Sequence, residues 1–192
     1  MKRYIPTSFF YVPLSSPFGA LTIVWDGEDR AAQVQRVFLP NEQVLVQEAV
    51  RAAAAGAVAR TCPAIADVQQ RLERYLNGEA VSFDLSIFAM EQCSEFQRRV
   101  LLAEYAIPRG SVSTYGRIAR HLGDPGASRA VGGALASNPY PIVIPCHRAV
   151  RSDGHLGGFR GGLEMKRALL EMEGVHVGPD SRVITEHFYY SR

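Results

Sequence analysis

A chain of 192 residues can hold one large domain or two small ones. With 47% hydrophobic and 21% charged residues it has the balance of a globular protein with a buried core, which excludes a disordered chain and a coiled coil. The net charge of +2 gives no overall nucleic-acid footprint, so any basic surface must be local.

The basic start, Met1 to Pro6, leads into an apolar stretch broken by Pro6 and Pro13, with no cleavage site behind it. It is not read as a signal peptide. Phe18 to Trp25 and Val34 to Leu39 are rich in β-branched and aromatic residues, and Gly27 and Asp29 supply a turn between them, which predicts a strand pair. Asn41 to Ala55 is predicted as a helix stopped by Gly56. Ala64 to Leu76 is predicted as a second, with Ile65, Val68, Leu72 and Leu76 on one face and Asn77-Gly78 ending it. The border to a second domain is expected between Gly78 and Gln92, giving an α/β domain over residues 1–88 and a mainly helical one over 89–192.

From Ser94 the pattern turns helical. Ser94 is a cap for a helix carrying Phe96, Val100 and Ala103 that stops at Pro108 and Gly110. Thr114 caps a short helix, Tyr115 to His121, closed by Gly123. Asp124 is expected to cap another, Pro125 to Ala136, with Pro125 in its first turn. Two short helices around a glycine-containing turn make a helix-turn-helix candidate, a pattern that any small helical domain can carry. A last helix, Leu163 to Glu173, ends at Gly174. No apolar run is long enough for a membrane span.

The three cysteines, Cys62, Cys93 and Cys146, are far apart and form no C-x-x-C pair, which fits a reducing cytosol better than a disulfide framework. His121, His155, His176 and His187 have no ligand spacing with Cys62 or Cys93, so no metal is expected. There is no phosphate loop and no nucleotide or flavin fingerprint, so no cofactor is expected. The segment Asn138-Pro139-Tyr140-Pro141-Ile142-Val143-Ile144-Pro145-Cys146-His147-Arg148 stands apart. Three prolines hold it extended and present Cys146 beside an imidazole and a guanidinium, groups that lower a thiol pKa when they touch it. Without further information a buried structural thiol is the more common outcome for such a cysteine.

Pro145-Cys146-His147-Arg148, with Ile142-Val143-Ile144 before it, resembles the active-site signature of the O6-alkylguanine-DNA alkyltransferases. Thr114-Tyr115-Gly116, Ser128-Arg129-Ala130-Val131-Gly132-Gly133-Ala134, Asn138-Pro139, Gly161-Gly162-Leu163, Lys166, Leu169-Leu170 and Glu173-Gly174 follow the family's order and spacing. The similarity covers roughly Phe96 to Gly174; the amino-terminal half matches in outline only. The resemblance implies a small ribonuclease-H-like α/β domain followed by a helical domain with a helix-turn-helix. It also implies irreversible, stoichiometric transfer of an alkyl group from O6-alkylguanine in double-stranded DNA to the protein.

By that resemblance Cys146 is the nucleophile, His147 and Glu173 its proton relay, Asn138 the hinge asparagine, and Tyr115 the residue that hydrogen-bonds the flipped base and presses on the neighbouring phosphate. Arg129 would fill the gap left by the base, with Ser128, Ala130 and Gly132 lying against the minor groove. Arg117, Arg120 and Arg148 are candidates for phosphate contacts. Ala149, Ser152, Gly158, Phe159 and Arg160 would complete the substrate pocket. The family commonly has a tyrosine where Phe159 stands, and a small residue occupies the position of Arg160 in the human-type protein, which leaves the width for bulky adducts open.

The implied partner is double-stranded DNA bearing O6-alkylguanine, with no membrane. The implied state is a monomer, with cooperative binding along DNA left open. The expected location is cytoplasmic: at the nucleoid in a bacterium, in the nucleus in a eukaryote. Two rivals stay open at this point. One is a non-catalytic sensor of alkylated DNA, and the other a cysteine hydrolase, which would need an oxyanion hole and a water step.

Overall fold

The computed structural model describes residues 9–29, 31–42, 58–185 and 187–190. The chain divides into two compact units, Met1–Ala89 and Met90–Arg192. Both contribute to an α/β protein, and no helix among the described residues is long and apolar enough to cross a membrane.

The first unit holds a four-stranded sheet in the order β3-β2-β1-β4, with β1 Phe10–Leu14, β2 Leu21–Asp26, β3 Gln33–Phe38 and β4 Val58–Ala59. β1, β2 and β3 are antiparallel neighbours, and β4 runs parallel to β1. Every residue of β2 is buried, and the Trp25 indole donates to the Arg60 carbonyl at 3.0 Å. β2 and β3 form the expected strand pair, whereas β1, which carries Pro13, was not predicted. Phe9 and Tyr11 turn their carbonyls to β4. By two-residue alternation the missing N–H of Pro13 falls on the same side, past the end of β4, so the proline breaks no ladder bond.

Of the helix expected over Asn41 to Ala55, only Asn41 and Glu42 are described, in a single 3-10 turn, Pro40–Glu42; the remainder lies outside the described residues. Helix α1, Pro63–Leu76, buries Ile65, Val68, Leu72 and Leu76 as the spacing requires, and Tyr75 with them. Its end is a glycine stop. Gly78 has φ +96°, and the N–H of Glu79 reaches back to the Arg74 carbonyl at 3.1 Å.

The second unit carries α2 (Glu95–Tyr105), β5 (Ser113–Thr114), α3 (Tyr115–His121), α4 (Ser128–Ala136), β6 (Ala149–Val150) and α5 (Leu163–Met172). The expected caps form: Ser94 Oγ accepts from the N–H of Gln97 at 3.2 Å, and Thr114 Oγ1 from that of Arg117 at 3.3 Å. α4 starts three residues later than predicted. The N–H of Ala127 closes a turn onto the Asp124 carbonyl, and the helix then begins at Ser128 without a side-chain cap. Parallel pairing of Ser113 with Ala149 and Thr114 with Val150 holds β5 against β6. Below them Val112, Val150, Leu156, Leu170, Val175, Val177 and Val183 form one apolar cluster, with Phe188 packed against it.

The carboxy-terminal segment closes over α3. Arg117 donates to the carbonyls of Tyr190 (2.6 Å) and Phe188 (3.4 Å), Tyr190 stacks on His121 at 3.9 Å between ring centres, and its hydroxyl donates to the Ala103 carbonyl at 2.8 Å.

Candidate active site

The β5–β6 pairing brings two distant stretches together: Tyr115 directly follows β5, and Cys146-His147-Arg148 directly precedes β6. Between α4 and that turn the chain is fixed by Asn138. Its side-chain oxygen accepts from the N–H of Tyr140 (2.9 Å), and its amide donates to the Ile144 carbonyl (3.0 Å). The first bond is an Asx turn, which Pro139 favours by restricting the residue before it. Ile142 takes φ +75°, a region costly for a β-branched residue, and burial on all sides holds it there. Asn138→Ala is expected to destabilise by about 2 kcal/mol in urea unfolding, since the buried N–H of Tyr140 loses its acceptor.

Cys146 is partly buried and opens into a cleft of about 260 Å³ lined by Tyr115, Gly132, Leu135, Ala136, Asn138, Pro141, Gly158, Phe159 and Arg160. Gly157 is required beside it. Its φ is +68°, and a Cβ there would come within 3.0 Å of the Tyr115 hydroxyl. Burial pushes the Cys146 thiol up to about 11. A hydrogen bond from Asn138 and the charges of Lys166 and Arg160 pull against that shift, and the charge of Glu104 adds to it. Burial likewise raises the Tyr115 hydroxyl to about 12. Both groups therefore keep their protons at neutral pH until something takes or receives them.

Behind the nucleophile, His147 is fully buried, with Nε2 at 3.2 Å from Glu173 Oε1. Burial lowers its pKa and Glu173 opposes the shift, so the imidazole rests neutral. Burial would also raise the Glu173 carboxyl. The hydrogen bonds from His147 and Arg148, together with their charges, outweigh that and hold it well below the usual carboxylate range. Arg148 grips both Glu173 oxygens, through Nε at 2.8 Å and Nη2 at 2.6 Å, and also donates to the Ile107 carbonyl.

The placement of the sequence-predicted residues is uneven. Cys146, His147, Glu173, Asn138 and Tyr115 converge on this one site. Gly158, Phe159, Arg160 and Gly132 line its cleft, whereas Ala149 is fully buried and Ser152 exposed, neither of them on the lining. Arg129 and Ala130 are exposed at the start of α4, with Ser128 partly so. Arg148, proposed for phosphate contact, is instead turned into the interior. A carboxylate that holds it at two points outcompetes solvent for the planar guanidinium. Arg117 likewise spends its guanidinium on the carboxy-terminal carbonyls.

Two charged residues of the site had no assigned role. Glu104 and Lys166 are both fully buried, and Lys166 donates from Nζ to the carbonyls of Ala149 (2.7 Å) and Gly158 (3.3 Å). The sequence signal for Glu104 was its place in the Phe96-Val100-Glu104 row, where an acid interrupts the apolar side of α2.

Comparison with known proteins agrees with this geometry. Residues 95–175 match the family described as 6-O-methylguanine DNA methyltransferase, DNA binding domain. The methylated-DNA–protein-cysteine methyltransferase of Methanothermobacter thermautotrophicus is 49% identical over 112 residues, covering 58% of this chain and 62% of that protein, less than two thirds of its length. That of Haemophilus influenzae is 37% identical over 171 residues, 88% of each chain. Among solved structures, Mycobacterium tuberculosis OGT in complex with DNA superposes with a TM-score of 0.67 at 33% identity, covering 85% of this chain and 92% of the other. Likeness sustained across nearly the whole length, with the same cysteine-bearing domain matched on its own, places the chain in the methylated-DNA–protein-cysteine methyltransferase family.

Proposed function

We propose that this protein repairs O6-alkylguanine in double-stranded DNA by taking the alkyl group onto Cys146 in one irreversible step. The observation that carries this reading is the juxtaposition of a cleft-facing thiol, Cys146, with the buried His147–Glu173–Arg148 system behind it and Tyr115 across the cleft. In the reaction the Cys146 Sγ–carbon bond forms as the carbon–O6 bond breaks, in line. The thiol proton passes to His147, whose imidazolium the ionised Glu173 stabilises. Tyr115 donates a proton to N3 of the leaving guanine, and the proton held on His147 restores the balance. In sum, thiol and alkylguanine become thioether and guanine, with no cofactor. An alkyl thioether offers water only a poor leaving group, a thiolate on saturated carbon, so each molecule acts once.

A base in a duplex is out of reach of this cleft, so the nucleotide must be rotated out. α3 and α4, joined by residues 122–127, serve as a helix-turn-helix, with α4 in the minor groove. The exposed Arg129 occupies the vacated stack. Gly133, whose missing Cβ faces open space, lets the groove floor approach. Tyr115, at the head of α3, steers the flipped nucleotide. The first unit, an antiparallel sheet with a parallel fourth strand, fits a ribonuclease-H-like fold. The protein works as a monomer wherever the cell keeps its DNA.

Mass spectrometry after incubation with a duplex carrying one O6-methylguanine tests the proposal. One added methyl on the Cys146 peptide, with a yield capped at one per protein, is the expected result. An unmodified protein that still binds the damaged duplex would make it a sensor instead, and repeated turnover would refute the single-use step.

A further inference from the structure

Helices α3 and α4 both pack on α2, and side chains of α2 hold each of them at its carboxy-terminal end. Arg99 donates from Nη2 to the Leu122 carbonyl at 2.8 Å, just past the last turn of α3. Gln97 turns its amide nitrogen to the end of α4. It lies 3.0 Å from Ser137 Oγ, 3.2 Å from the Ser137 carbonyl and 3.4 Å from that of Ala134. The Ser137 hydroxyl in turn reaches the carbonyls of Gly133 (3.1 Å) and Ala134 (3.2 Å), so the contact is relayed one turn back into the helix. The last carbonyls of a helix lack intrahelical donors, and for Ala134 and Ser137 α2 supplies one.

The local sequence has another use for Gln97. Ser94-x-x-Gln97 has the spacing of a capping box, in which the glutamine side chain turns back to the serine N–H. Ser94 makes its half, accepting from the Gln97 N–H at 3.2 Å, while the Gln97 amide nitrogen reaches across to α4. α3 is held from several directions: by Arg99, by Arg117 on the Phe188 and Tyr190 carbonyls, and by Tyr190 against His121. Loss of the Gln97 contact would therefore free the end of α4 while α3 stayed in place. Arg129 stands at the opposite end of α4, a helix about 13 Å long. A tilt of about 10° about the tied end would carry its backbone roughly 2 Å.

We propose that Gln97 is a positioning residue for duplex engagement: its amide ties the end of α4 to α2 and so fixes the tilt at which α4 presents Arg129. The inference rests on the transfer reading given above and on α4 as the helix that meets DNA. The active-site turn is fixed by the bonds of Asn138 and Arg148, so the tie acts on docking and not on the chemical step. Without it only part of the population holds the docking tilt, and apparent affinity falls by that fraction. The net worth of one hydrogen bond sets the loss at about fivefold.

The test is single-turnover methyl transfer from a duplex containing O6-methylguanine. Following the rate against protein concentration separates the half-saturating concentration from the limiting rate. Gln97→Met keeps the length and helix propensity of glutamine but has no donor. It should raise the half-saturating concentration about fivefold and leave the limiting rate within about twofold. Gln97→Glu completes the capping box at Ser94, so it should melt no lower than Gln97→Met. Its carboxylate would face the Ala134 and Ser137 carbonyls, however, and it should engage the duplex no better. Because Ser137 passes the contact on, adding Ser137→Ala to Gln97→Met should cost nothing further. An unchanged half-saturating concentration in Gln97→Met would overturn the proposal, as would a loss confined to the limiting rate. Losses that follow the melting midpoints across the variants, or a variant that no longer folds, would make Gln97 structural only and overturn it too. A Ser137→Ala loss that adds in full would show two separate DNA contacts in place of one tie. If the unaltered protein transferred nothing, the functional reading would fail and take this inference with it. Transfer by the unaltered protein, matched by every variant, would sink the inference alone.

Discussion

Cys146→Ser is expected to abolish methyl transfer, lowering the single-turnover rate by more than about a thousandfold, while affinity for a lesion-bearing duplex stays within about threefold. A hydroxyl holds its proton far more tightly than a thiol and is a weaker nucleophile toward saturated carbon. Even the thiol is pushed up to about 11 here by burial, so the site has little reactivity to spare. Binding should survive, because the groups assigned to hold the base and the duplex, Tyr115, Phe159 and Arg129, lie outside the substitution. The measurement pairs a rapid-quench assay with a gel-shift titration. Transfer retained by the serine variant would dismiss Cys146 as the acceptor.

Glu173→Gln should have the largest effect on stability. Glu173 is fully buried in its side chain and receives two bonds from Arg148 and one from His147. Glutamine keeps the volume but leaves the Arg148 guanidinium, itself only 10% exposed, without its counter-charge. Breaking a buried pair in this way costs about 3–5 kcal/mol, read as a lower midpoint in urea. The same group sets the acid limit of the fold. The Glu173 pKa is depressed by folding, so its contribution is complete above its ordinary value of 4.5 and fades as pH falls toward the folded value. The pKa of His147 is also depressed, so the unfolded chain binds a proton that the folded one refuses, and stability drops as pH falls below 6.5. The unaltered protein should therefore lose stability in two acid stages. Glu173→Gln should lack the second. A variant whose acid profile kept both stages would show that Glu173 is not the titrating carboxyl.

What could be read from the sequence follows from what is local. Ser94, Thr114 and Gly78 act within one turn of chain, and each marks its helix end where expected. Cys146, His147, Asn138, Tyr115 and Glu173 were named from a resemblance, and the β5–β6 pairing is what gathers them. What was missed or misplaced depends on more of the chain. β1 was not predicted, and its Pro13 is tolerated because the neighbouring β4 has already ended. Asp124 has the chemistry of a helix cap, yet its segment first spends a turn before α4 begins. Arg148 looked like a surface cation because nothing beside it in sequence reveals Glu173, which is 25 residues away. Glu104 and Lys166 are both sealed from solvent, which nothing beside them in sequence reveals.

The stretch from Phe188 to Tyr190 is a brace for α3 that lies apart from the nucleophile. Tyr190 covers His121 at one end of α3, and Arg117 in its middle is tied to the carbonyls of Phe188 and Tyr190. Loss of that brace would loosen the helix headed by Tyr115 and leave Cys146 and its relay chemically whole. If α3 and α4 engage DNA as proposed, such a protein would still react with a free alkylated base small enough to enter the cleft, yet engage duplex DNA poorly. Intact reactivity toward a small-molecule probe would therefore be a poor measure of how much repair-competent protein a preparation contains.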